Sequence, residues 1–148
     1  MALRAVAPAA APRWGMFRLS ANQTTGLTAN SPIRFDAVAA GTLTLASYAI
    51  QLPENRTFRL TSGLSFSFSS NNGSVQTCWF DMTAGQFIGI TSQHIPPTNT
   101  TPWSQQPMAY AVINTAGGVR SVQLRISAAS SPNGVFAAFS FAEVTEIL

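Results

Sequence analysis

Residues 63–70, GLSFSFSS, alternate apolar and hydroxyl side chains: Leu64, Phe66 and Phe68 fall on one side of an extended chain, Ser65, Ser67 and Ser69 on the other. A helix would scatter these residues around its circumference, so the stretch reads as a half-buried β-strand. The same period of two recurs over residues 16–20, 33–37, 43–52, 57–61, 75–82, 87–91, 108–115, 119–127 and 135–147. Between runs stand Asn72-Gly73, Ala84-Gly85, Gly117-Gly118 and Asn133-Gly134, pairs suited to the positive φ angles of tight reversals. No long window carries helical spacing with caps at both ends. The pattern predicts an all-β, antiparallel sandwich.

A chain of 148 residues fits one domain that buries roughly 70% of its unfolded surface. Only 9% of it is charged, against about 25% in an average soluble domain. Sixteen serines and fifteen threonines supply the polar surface instead. Neutral hydroxyls cost less to desolvate than charges, which suits a surface buried against copies of itself or a partner; a Ser/Thr-rich β protein standing alone has the same composition. All eight basic residues are arginines, and Arg4, Arg13 and Arg18 lie at the N-terminal end. The remaining five balance five acids, so the net charge of +3 belongs to the N-terminus and no nucleic-acid partner is expected. Cys78 is the single cysteine, which rules out an internal disulfide. No apolar run is long enough for a transmembrane helix, and no membrane partner is expected.

Residues 1–15 read as an extended N-terminal arm, and residues 16–148 as the β-sandwich domain. Residues 5–12 mix alanine with Pro8 and Pro12 and lead into Arg13, which disfavours both a helix and a cleavable signal peptide. Such a segment spans up to about 45 Å. Arg13 and Trp14 stand where arm meets body, and Arg and Trp are enriched at interface hot spots. Arg4, Arg13, Trp14 and Arg18 are therefore candidate partner-binding residues, the other reading being an unstructured start without a role. Asn22, Asn55, Asn72 and Asn99 open glycosylation sequons but, without secretion, read as polar turn residues.

Catalytic chemistry has few candidates. His94 is the only histidine, and no Gly-x-Ser-x-Gly elbow is present. Asp36, Glu54 and Asp81 fall on separate strands or turns, and Arg34 and Arg56 lie close in sequence to the first two, which favours ion pairs over a glycosidase pair. No metal site or cofactor is expected, and the chain is not expected to be an enzyme. Residues 94–107, HIPPTNTTPWSQQP, carry four prolines and predict a long loop. Within it Trp103 is either a plug over one end of the sandwich or an exposed recognition aromatic; His94 and Trp103 together form a possible recognition loop.

From about residue 24 to residue 148 the order of these features resembles the ten-stranded jelly roll of the tumour necrosis factor and complement globular-head superfamily. Phe58, Gly63, Phe66 and Phe68 match its aromatic strand pattern, and the closing GVFAAFSFAEVTEIL, residues 134–148, matches its Phe-rich final strand. Ser65 stands where that pattern commonly has tyrosine, and no collagen stalk precedes the domain. The resemblance implies a jelly-roll sandwich of about eight to ten strands. It further implies a homotrimer that packs inner-sheet aromatics around a threefold axis, and no enzymatic activity. Phe66, Phe68, Tyr110, Phe139 and Phe141 are then candidates for the trimer core or axis, or for the sandwich interior.

Composition and layout also resemble bacteriophage capsid decoration, or cement, proteins. That resemblance implies a structural protein of the virion surface whose arm docks on the major capsid protein. The alternative is a receptor- or carbohydrate-binding tip of a tail fibre, which would normally follow a long shaft where this sequence opens on a short arm.

Overall fold

The computed structural model describes residues 11–96 and 107–147. The described residues form twelve strands: β1 (Trp14–Arg18), β2 (Ala37–Gly41), β3 (Thr44–Ala46), β4 (Ala49–Leu52), β5 (Thr57–Gly63), β6 (Phe66–Phe68), β7 (Ser74–Asp81), β8 (Gln86–His94), β9 (Met108–Asn114), β10 (Arg120–Ser130), β11 (Pro132–Val135) and β12 (Phe141–Ile147). One short 3-10 turn, Ala137–Phe139, precedes β12.

The strands pair antiparallel in the order β2-β1-β12-β5-β9 on one side and β8-β7-β10-β4-β3 on the other. A pairing of Ile90 with Tyr110 joins the two sides, so the sandwich is nearly a closed barrel. A small β6-β11 sheet stands apart from this ladder. The antiparallel sandwich expected from the alternation, with the jelly-roll form that the resemblance implies, is the architecture found.

The two sheets enclose one core. Phe17, Phe58 and Leu60 project into it from the first, Trp79, Leu124 and Ile126 from the second, all fully buried. Alternation accounts for the ladder: in β1 Phe17 points inward between exposed Met16 and Arg18, and in β9 Ala109, Ala111 and Ile113 point inward between exposed neighbours. Trp79 donates its indole N–H to the Ala109 carbonyl at 3.4 Å, which satisfies its one polar atom across the core.

Several local expectations change. The opening stretch is buried on both sides, because Ser65 and Ser67 are enclosed along with Leu64, Phe66 and Phe68. Strand β11 pairs along the edge of β6, and the Ser140 hydroxyl accepts the Ser65 backbone N–H at 3.2 Å. Residues 43–52 form a hairpin rather than one strand, turning at Ser47 (φ 50°) and Tyr48 (φ 64°). Residues 33–36 lie outside the ladder, and residues 135–147 are interrupted by the 3-10 turn. Of the four glycine pairs, Gly85 and Gly118 take positive φ, while the turns at 72–73 and 133–134 do without it. The ion pairs are long-range: Arg56 with Glu146, and Arg120 with Asp81 at 3.5 Å, in place of neighbours in sequence.

Candidate functional site

The outward face of the first sheet gathers side chains that the core does not use. Register places them in rows across β1, β12, β5 and β9: Trp14, Thr145, Arg59, Val112; then Met16, Glu143, Thr61, Tyr110; then Arg18, Phe141, Gly63, Met108. Met108 is 61% exposed and Val112 48%, with Trp14, Met16 and Tyr110 close to 40%. Ile90, beside Tyr110 on β8, is 66% exposed and extends the apolar strip around the sheet edge. A groove of about 660 Å³ between β1, β2 and the 3-10 turn, bordered by Met16, Arg18, Ala37, Ala39 and Phe141, continues it on the other side.

Two features shape this face locally. Gly63 makes room for Phe141: a Cβ there would meet the Phe141 ring at 2.7 Å. Gly89 (φ 81°) lets β8 close on β9, where any Cβ would strike the Tyr110 carbonyl oxygen. Electrostatically the face is sparse. Arg18, Arg59 and Glu143 are its charged residues, and Glu143 accepts the Thr145 hydroxyl at 3.2 Å.

The residues singled out from sequence separate into groups. Tyr110 and Phe141 lie on the outward face; Phe139 is half-exposed in the 3-10 turn beside it. Phe66 and Phe68 take the second of their two readings, the sandwich interior, since both are buried in the core cluster. Trp14 and Arg18 belong to β1, so the sheet begins two residues before the expected boundary at residue 16. Arg13 is tied by its backbone to the end of β12: its N–H donates to the Glu146 carboxylate, and its carbonyl accepts the Glu146 N–H, both at 2.8 Å. That donation and the Arg56 guanidinium hold the Glu146 carboxyl below its ordinary pKa. Arg4 and Trp103 lie outside the described residues.

His94 does not open a loop. It ends β8 as a buried residue, 1% exposed, with its Nε2 3.0 Å from the Ser92 hydroxyl and its ring 4.8 Å from that of Phe66. The Thr77 hydroxyl stands 2.6 Å from Ser92 on the facing strand. This Ser-His pair is enclosed in the sandwich. Among the described residues no group of three His, Cys, Asp or Glu side chains could hold a metal, and no helix is long and apolar enough to cross a membrane.

Met16, Met108 and Val112 escaped the reading of the sequence. For Met108 and Val112 the signal was present in MAYAVIN of β9, which is apolar on both faces: a strand of that kind needs cover on both sides.

Comparison with solved structures defines the class of this fold. Over 93% of its length the chain superposes on an Eiger tumour necrosis factor from S. frugiperda with a TM-score of 0.69 and 10% identity, covering 93% of that chain. It superposes on murine APRIL with a TM-score of 0.65 and 7% identity, covering all of that chain, and on the globular domain of zebrafish complement 1qA with 0.61 and 8%, covering 98%. The fold is a jelly roll of the tumour necrosis factor and complement globular-head type. No family model and no curated protein sequence matches the chain.

Proposed function

We propose that this chain is a non-catalytic structural module that assembles as a homotrimer through the outward face of its first sheet, and that the trimer decorates a viral capsid. The observation that carries the assembly step is that Met108, Tyr110 and Val112 on β9 and Trp14 and Met16 on β1 are exposed on one face of one sheet, with only Thr145, Glu143, Arg59 and Thr61 in the rows between them. Several large apolar side chains exposed on one sheet face fit an interaction site, and burying one of them is worth about 1.5–3 kcal/mol. Jelly rolls of this type can be trimeric domains, which fits three copies closing this face around an axis. With the face used in the seam, the N-terminal segment is left to reach the capsid protein, and many weak contacts per shell then act together.

Light scattering on the purified chain tests the trimer. A trimer at micromolar concentration that the Met108→Asp/Tyr110→Asp double variant converts to folded monomer is the expected outcome; a wild-type monomer overturns the reading. Decoration is tested by adding the protein to capsid shells lacking it. Saturable binding that deletion of residues 1–12 weakens is expected. That deletion leaves β1 whole, so unchanged binding would remove the docking role from the segment.

A further inference from the structure

At the end of the sandwich, the loop after β1, the segment leading into β2 and the tip of the β3-β4 hairpin enclose a polar cleft of about 260 Å³. Asn22, Thr25, Arg34, Asp36 and Tyr48 are among the residues that line it. We infer that this cleft binds an acidic sugar, a polyhydroxylated ring carrying a carboxylate, with Arg34 on the carboxylate, Asp36 and Asn22 on ring hydroxyls, and Tyr48 against the ring.

Arg34 is held ready rather than neutralised. One guanidinium nitrogen donates to the Thr25 hydroxyl at 3.3 Å, and the other lies so close over Gly26 that a Cβ there would meet it at 2.6 Å. It forms no ion pair among the described residues, even though Asp36 stands two positions away. Asp36 is turned to Ser20 instead, accepting its backbone N–H at 2.7 Å and its hydroxyl at 2.5 Å. Those bonds keep a carboxylate in the cleft with lone pairs left for further donors. The cleft thus presents a planar cationic fork and an anionic acceptor as separate features. A neutral sugar leaves the fork unmatched, and a bare phosphate meets Asp36; a sugar acid satisfies both.

The frame is rigid. Gln23 is buried beneath the cleft and its side-chain amide donates to the carbonyls of Thr25, Gly26 and Pro32 while its oxygen accepts the Arg34 N–H at 2.9 Å. This buried amide fixes the 23–26 loop to the strand-like segment that carries Arg34, the preorganisation a binding site needs.

Tyr48 supplies an independent argument. Ser47 and Tyr48 are both at positive φ, as a two-residue hairpin of type I′ requires, and Asn-Gly is the pair that suits such a turn. A tyrosine in the left-handed region is strained, and the structure over-determines it: Gln123 reaches from β10 to donate to the Ser47 carbonyl at 3.0 Å. An aromatic ring kept at the rim of a polar cleft against local preference serves the cleft, where an apolar ring face meets the apolar face of a sugar.

The test uses the full-length, isotope-labelled chain with glucuronate, N-acetylneuraminate, glucose and inorganic phosphate as probes, followed by amide chemical shifts. Binding near the millimolar scale, about 4 kcal/mol, is expected for at least one of the two sugar acids, with shifts confined to residues 22–26, 34–36 and 47–48. Arg34→Gln should weaken it at least about tenfold. Tyr48→Gly should weaken it too while leaving the melting temperature equal or higher, which separates lost binding from lost folding. No shift with either acid, glucose or phosphate binding as well as the acids, or full affinity in both variants overturns the inference.

Discussion

The Phe141 ring lies against Gly63 on the neighbouring strand, so close that a single added methyl would meet it at 2.7 Å. Gly63 is in ordinary extended backbone, so its role here is purely to leave space. Gly63→Ala is expected to push the ring off the sheet, costing about 1–3 kcal/mol by overpacking. Phe141→Leu in the same chain should recover part of that loss. A double-mutant cycle by chemical denaturation reads the coupling; strict additivity would show that the two residues do not compete for the same space.

Gly89 guards the join between the two sheets. Its φ of 81° and its approach to the Tyr110 carbonyl allow the pairing of Ile90 with Tyr110 that closes the sandwich on that side. Gly89→Ala is expected to cost about 2 kcal/mol or more, combining backbone strain with a backbone clash. Hydrogen exchange should locate the damage: faster exchange along β8 and β9, with β12 and β5 unchanged. Uniform acceleration throughout the sheet would contradict a local opening.

Gln23 gives a third test, at the frame beneath the polar cleft. Its truncation to alanine leaves the Arg34 N–H and three carbonyls without their side-chain partner. The expected loss is about 2 kcal/mol, the range for orphaning partly buried polar groups. Glutamate in its place would bury a carboxylate against three carbonyl oxygens, so it should cost at least as much as alanine. Denaturation midpoints at constant slope would establish that order.

How much of this could be read from the chain depends on which physical signal each residue carries. Alternation in residues 63–70 identified a strand and, with the rest, the sandwich, because one buried face per strand dictates period two. It mistook the serine side for a solvent face, since the pairing with β11 and the contact of Ser65 with Ser140, 75 positions away, come from distant parts of the chain. The Ser47-Tyr48 turn was missed for the opposite reason: its residues lack the Asn-Gly chemistry that announces a reversal, so an unbroken strand was the better local reading. Within the candidate site, Tyr110 and Phe141 were found as aromatics. Met108 and Val112 needed the register to show that β9 is apolar on the face turned away from the core.

Acid should act on this fold through Glu146 and Asp36. Glu146 lies below its ordinary value of 4.5, chiefly because the Arg13 N–H donates to it, and Asp36 lies below 3.8, chiefly because the Ser20 hydroxyl does. A carboxylate whose pKa is lower in the folded state contributes stability that is present in full above the unfolded pKa. That contribution disappears as pH falls through the folded value, when both states bind the proton. Stability is therefore expected to hold from neutral pH down to about 5 and then decline. Glu146→Gln should cost about 1 kcal/mol at pH 7, a charge-assisted bond discounted for the partial exposure of Arg56. The gap between it and wild type should narrow as the acid limb is descended, and Ser20→Ala should show the same convergence through Asp36. Denaturant titrations at stepwise pH decide the matter: a gap that stays constant or widens in acid would mean that these carboxylates are not stabilised by the bonds drawn to them.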